Sequence, residues 1–462
     1  MAKIKNIIVT IVAAFLIYGC NGDGDEYDDI PFTVYFQGIG NTALTGIAVD
    51  DAGFVYLGGW DKNPVEALVL KYAPDGTLLR ARRLGGGMSL AITVDDDGYP
   101  IVVGETTDPG FPIRGDVFQE KYVGPVANGF VTKLEPDIDE IVFSTYLGGT
   151  RGGDHDGERI KGVDTDKKNN VYFAGSAQSN DCPVTRHIIG DDPPGPGNYH
   201  VSEWPTAHVA GWSKVICGKF DPDGKTEWVV CLGGGGADTM NGAIDVSDDG
   251  ELYIAGRTKS SQFPITGGAF QDRLGSNGLS EFDCFVTRFN KDGDGLIYST
   301  YLYGSGQDFA AGGAVMPDGS FVVTGYTKSE NFPLKNPVQG KNAGGHDFFV
   351  TRVAPDGTTL ISSTYLGGKN YDDGAAVSLD EHGRIYVLGT VGQGFRTTDG
   401  TGVNGNSGVG YARFTPDGGT LEYSTIIGVG AGATAGGMTI RDGWVYRCGS
   451  VGGNGWIMKT GI

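Results

Sequence analysis

His155 sits in Gly153-Asp154-His155-Asp156-Gly157-Glu158, an imidazole among three carboxylates. An imidazole that titrates near neutrality beside acids is the usual raw material of acid–base chemistry. No second partner can be placed for it from the sequence. It is expected to be a solvated loop residue, and no catalytic residue is assigned. Asp154, Asp238, Asp308 and Asp372 each follow shortly after a glycine, at Gly149, Gly234, Gly304 and Gly368. Four such carboxylates at one end of a symmetric fold would ring its axis. With backbone carbonyls they would hold Ca²⁺ or a cationic partner. Otherwise they would cap backbone N–H groups. No other cofactor is expected. Asn290-Lys291-Asp292-Gly293-Asp294-Gly295 resembles part of a calcium loop, but it lacks the closing Glu and occupies a turn position. No nucleophile elbow or phosphate loop is present.

A second concentration of reactive side chains lies between Ser176 and Ser213, with His187, His200, His208, Trp204 and Trp212. The histidine spacing matches no standard metal motif. Exposed Trp on a long loop over a rigid scaffold suits contact with a glycan or a protein. Cys217 and Cys231 flank Pro222-Asp223-Gly224 almost symmetrically, which makes them candidates for a disulfide across a hairpin. Cys182 is an alternative partner for Cys217, and the pairing stays open.

The chain has 462 residues and a formal net charge of −21, with 80 Gly, 21 Tyr and 22 Phe. That acidity weighs against nucleic acid as a partner, because phosphate binding needs clustered Lys and Arg. Lys3 and Lys5 precede an apolar run from Ile7 to Ile17, too short for a comfortable membrane span. Ile17-Tyr18-Gly19-Cys20 reads as a bacterial lipobox with Cys20 lipidated. Residues 1–19 would be a cleaved signal, residues 20–31 a lipidated Cys and acidic tether, and residues 32–462 the folded body.

Four segments position these residues, and they recur seven times. The first is a strand ending in glycine, as in Ser144-Thr145-Tyr146-Leu147-Gly148-Gly149. The second and third form a hairpin through a turn rich in Asp, Asn and Gly, marked at Gly53, Gly98, Asn170, Gly250, Gly319, Gly383 and Gly443. Such turns supply the positive φ that tight hairpins need. The fourth is a strand such as Phe348-Phe349-Val350-Thr351-Arg352, running into Pro355-Asp356-Gly357. Four strands repeated seven times predict an all-β fold, a single seven-bladed β-propeller of four-stranded antiparallel blades. The small-residue strand, as in Gly374-Ala375-Ala376-Val377, should be innermost. The chain opens on the outer-strand type and stops on the fourth-segment type. Residues 33–38 should therefore complete the last blade beside 455–460, protecting its edge.

The motifs Tyr298-Ser299-Thr300-Tyr301-Leu302, Phe349-Val350-Thr351-Arg352 before Pro355-Asp356-Gly357, and Thr327-Lys328-Ser329-Glu330-Asn331-Phe332-Pro333 resemble the bacterial SBBP family of seven-bladed propeller repeats. The resemblance covers about residues 33–462. It implies an exported, surface-associated propeller and supplies no catalytic residues. The expected protein is a monomeric, non-enzymatic surface or outer-membrane lipoprotein, periplasmic or extracellular, that binds an envelope protein or glycan. Its face would carry Asp154, His155, Asp238, Asp308, Asp372, Trp204 and Trp212. One alternative is a metal-assisted lyase or hydrolase acting on a polysaccharide or lactone. Another is a structural component of the envelope.

Overall fold

The computed structural model describes residues 32–35 and 42–462, apart from 151–156, 180, 192–193, 204–211, 276–280, 403–406, 430–431 and 453. Its strands form seven separate sheets. Blade 5 shows the plan: an inner strand Asp308–Val315, a second strand Phe321–Thr327, a third strand Asp347–Val353 and an outer strand Leu360–Leu366. All neighbours within it are antiparallel. The second and third strands are buried along nearly their whole length, because each blade packs both faces on its neighbours.

The recurrent Ser-Thr-Tyr motif has a role for each side chain. Ser144, Ser299 and Ser363 hydrogen-bond across to Thr132, Thr287 and Thr351 at 2.8–2.9 Å. The Tyr146, Tyr301 and Tyr365 hydroxyls donate to the carbonyls of Asp108, Ser260 and Ser329 in the long connections. Beside them Phe111, Phe263 and Phe332 insert between blades and pack on Phe130, Phe285 and Phe349, with centroids 4.4–4.8 Å apart. Burying each phenyl contributes about 2–3 kcal/mol, which fixes the long connections to the scaffold.

The ring closes as the order of segments requires. Phe32–Tyr35 is the outer strand of blade 7, antiparallel to Asn454–Gly461, with Phe32 opposite Lys459 and Tyr35 opposite Trp456. Small residues are a condition of this packing. A Cβ on Gly162 would lie 2.4 Å from Ile244 Cγ2 of the next inner strand, and one on Gly374 would lie 2.4 Å from Thr324 Oγ1.

Blade 3 departs from four strands. Its long connection contains the hairpin Arg186–Gly190 and Tyr199–Ser202, and Arg186–Gly190 runs parallel to the outer strand Thr226–Gly233. The blade thus has six strands. The hairpin caps an edge that would otherwise carry unpaired backbone groups.

The expected Cys217–Cys231 bridge is not formed. Cys217 lies opposite Val230, and Cys231 opposite Ile216. This one-residue offset turns the two side chains to opposite faces of the sheet. Cys217 packs with Tyr172 and Trp228, Cys231 with Cys182 and Phe220. All five described cysteines are buried free thiols.

Candidate functional site: the axial mouth and the cleft beside blade 3

The inner strands converge on an axial cavity of about 590 Å³. Each inner strand carries a β-bulge at the same level, where pairing with the second strand skips one or two residues. A bulge re-aims side chains and breaks the ladder locally. The skipped residues are Thr45, Leu90, Lys161, Asn241 with Gly242, Ala311, Ala375, and Gly436 with Gly437, and all of these line the cavity. Six blades place neutral residues at this level. Blade 3 alone places a charge, Lys161. Its amine donates to Asn241 Oδ1 at 2.7 Å. Burial, and then the neighbouring Arg159 and Arg257, hold it down at about 8. Arg159 pairs with buried Glu105.

Arg257 stands in the second strand of blade 4 and donates to Thr239 Oγ1 at 2.9 Å. Its guanidinium lies 4.2 Å from the centroids of both Phe282 and Phe309. Burial lowers its basicity, and no carboxylate offsets that effect. Phe309 stacks on Tyr326, and Tyr326 on His346 at 4.4 Å. His346 also packs against exposed Tyr371 at 4.7 Å and sits 2.7 Å from Asp373 Oδ1.

On the other side of Arg257 the row continues outward. Lys259 Nζ lies 4.5 Å from the Phe282 centroid and also lines a cleft of about 820 Å³ between the blade 3 connection and blade 4. Trp212, Pro196, Gln262, Asp272 and Arg273 line the same cleft. Trp212 is 61% exposed.

The expected carboxylates stand elsewhere. Asp238, Asp308 and Asp372 are fully buried. Asp308 accepts from Gly304 N at 2.8 Å, from the Thr327 hydroxyl, and from Ser329 Oγ at 3.0 Å. Asp238 does the same with Gly234, Thr258 and Ser260, and Asp372 with the N–H groups of Gly368 and Gly392. They bind the outer strand of one blade to the next blade rather than ring the mouth. In blade 3 this role falls to Glu158, which accepts from Gly149 N, from Ser179 N at 2.9 Å and from Ser179 Oγ. Glu158 stands nine residues after Gly149 rather than four, so spacing from the glycine pointed to Asp154 instead. Its position just before the inner strand Arg159–Thr165 was the better signal. Asp154, His155, Trp204 and His208 lie outside the described residues, as does Cys20. His187 is buried, and His200 pairs with Asp191 at 2.6 Å. Among the described residues, no group of three or more His, Cys, Asp or Glu is arranged to hold a metal ion.

No protein-family model matches the chain, and no curated relative matches it. Among solved structures it is similar to virginiamycin B lyase from Staphylococcus aureus, with 12% identity, a TM-score of 0.48, 94% of this chain covered and 99% of that one. The WD40 β-propeller domain of Doa1 matches with 10% identity and a TM-score of 0.46, covering 92% of this chain and 94% of that one. A gluconolactonase from Xanthomonas campestris matches with 12% identity and a TM-score of 0.38, covering 93% and 89%. All three scores are below 0.5, and no ligand, reaction or partner passes from those proteins to this chain.

Proposed function

We propose that the protein is a non-enzymatic, surface-tethered propeller that binds a glycan on the face bearing its long connections. The observation that carries this reading is the cleft of about 820 Å³. An exposed indole, two prolines and a few convergent polar groups are the furnishing of a carbohydrate subsite. The ring supplies an apolar face for a sugar, and Gln262, Asp272 and Arg273 supply hydrogen bonds to hydroxyls. The resemblance to SBBP repeats, with its implied export, is consistent with a binding role at the cell surface.

Trp212→Ala is expected to weaken glycan binding at least ten-fold, on the order of 1.5–3 kcal/mol for a desolvated aromatic anchor. Screening wild type and variant on a broad glycan array would check this. Equal binding by both would reject the cleft. A wild type that binds no glycan but retains an envelope protein in pull-downs would move the reading to a protein ligand.

Anchoring through Cys20 belongs to the same proposal. Each acyl CH₂ inserted in the bilayer contributes about 0.8 kcal/mol, so several chains hold a protein firmly. Cys20→Ser is expected to shift the protein from the membrane fraction to the soluble fraction. An unchanged distribution would remove the lipid anchor.

A further inference from the structure

Lys161, Arg257 and Lys259 have no carboxylate partner among the described residues, and Lys161 and Arg257 are largely buried. Removing a cation from water without a counter-charge is unfavourable, yet this chain carries an excess of acids, with 56 Asp and Glu against 35 Lys and Arg. Glu105 pairs with Arg159 and acts on Lys161 only through space, Asp373 on the wall of the axial cavity pairs with His346, and Asp272 lines the cleft. Lys161 has the Asn241 amide, Arg257 has a hydroxyl and two phenyl faces, and Lys259 has one phenyl face. These groups form a continuous row. It runs from Arg273 and Trp212 in the cleft, through Lys259, Phe282 and Arg257, to Phe309 and Lys161 at the axial cavity.

We infer that the cleft and the axial mouth together receive an acidic glycan, whose carboxylate or sulfate groups are met by Lys259 in the cleft and Lys161 at the mouth, with Arg257 adding positive charge between them. This rests on the glycan-binding reading and specifies the chemical class. Aromatic faces alternate with cations along the row. That alternation suits a chain of sugar rings carrying anionic groups, in which a ring packs on the exposed Trp212 and charges reach the amines. Lys161 closes the row, since the remaining bulge positions are uncharged and give an anion no reason to go deeper. The chain's overall acidity does not defeat this. At physiological salt the screening length is about 8 Å, so a bound anion senses the local cations more than the distant acids.

The test uses matched pairs: oligogalacturonate against its methyl ester, and sulfated dextran oligomers against plain dextran oligomers. The two pairs separate carboxylate from sulfate. For wild type, at least one acidic member is expected to bind ten-fold or more tightly than its neutral twin. Lys161→Met is expected to reduce that preference to below three-fold, and Lys161→Arg to restore most of it. Lys259→Met, at a half-buried position, gives the same readout if Lys161→Met fails to fold. Neutral twins binding as well as acidic ones would overturn the acidic-glycan inference and leave the glycan reading intact. No binding to any of the four would overturn the inference, and the Trp212 array comparison then decides the parent reading separately. A preference unaffected by Lys161→Met and Lys259→Met would also overturn it.

Discussion

A protein lacking residues 1–35 is expected to melt as a whole about 5 °C lower than one retaining them, and to self-associate. The strand Phe32–Tyr35 holds the outer edge of blade 7 and connects the two ends of the chain. Its ladder involves four residue pairs. At about 1 kcal/mol net per hydrogen bond, its loss removes roughly 2–4 kcal/mol. For a body of this size that corresponds to a shift of about 2–5 °C, and solvent entry at the open blade adds to it. The larger consequence is kinetic. Asn454–Gly461 becomes an unpaired edge, ready to pair with another copy. Scanning calorimetry should show a single transition moved down rather than a small early transition followed by a normal one. A synthetic peptide spanning residues 30–38, added in trans, should recover much of the loss by strand addition. A truncated protein that melts at the wild-type temperature and stays monodisperse would show that the ring does not depend on this strand.

Stability should peak in mild acid and decline toward alkaline pH. Burial raises Asp308 and Asp347 to about 7 and Asp372 to about 6. It also raises Glu158, Asp238, Asp245 and, most strongly, Asp164. In the unfolded chain an Asp loses its proton near 3.9. Between about 4 and 7 the folded protein therefore holds protons that the unfolded chain has released. Unfolding then releases protons, and stability falls as pH rises through that window. One carboxyl moved from ~3.9 to about 7 accounts for on the order of 4 kcal/mol when fully ionised, an upper figure because interiors relax around charge. The opposite sign applies to Asp318, Asp380 and Asp399, whose hydrogen bonds and ion pairs lower them. Their contribution is lost below about pH 4. The melting temperature is thus expected to be highest near pH 5 and roughly 5–10 °C lower at pH 8. Asp308→Asn, which keeps the shape and removes the charge, should flatten part of that slope. A melting temperature that rises from pH 5 to pH 8 would show that these carboxylates are ionised in the fold without penalty.

The seven repeats were readable because each motif residue answers to a local rule. Gly319 takes a φ of +79° in its turn, Tyr365 must find an acceptor for a buried hydroxyl, and Phe332 must be buried. Such demands recur from blade to blade, the Tyr and Phe pair in blades 2, 4 and 5, so the sequence repeats them. The site is different in kind. Lys161 is one cation among 35 Lys and Arg, and nothing in Arg159-Ile160-Lys161-Gly162 announces a bulge. Its importance depends on where the ladder slips and on which cations neighbouring blades bring beside it. Trp212 was readable as a candidate because a long loop and a large aromatic stand out alone. The cysteines failed for a related reason: near-symmetry about Pro222-Asp223-Gly224 ignores the one-residue slip at Lys219 and Phe220. In blade 3 the connection is longer, and Glu158 supplies the bridging carboxylate from a different distance, while Asp154 lies outside the described residues.

The strand that closes the ring also has a direction. Tyr35 lies opposite Trp456, near the start of the third strand of blade 7, and Phe32 lies opposite Lys459, near its end. Phe32, where this strand begins, therefore lies at the face of the tight hairpin turns. The cleft and the axial mouth open on the other face. A molecule held by its leading segment presents these openings outward, away from whatever holds it. Polarity of display is thus set by the sense of one short strand, before any ligand or neighbour is involved.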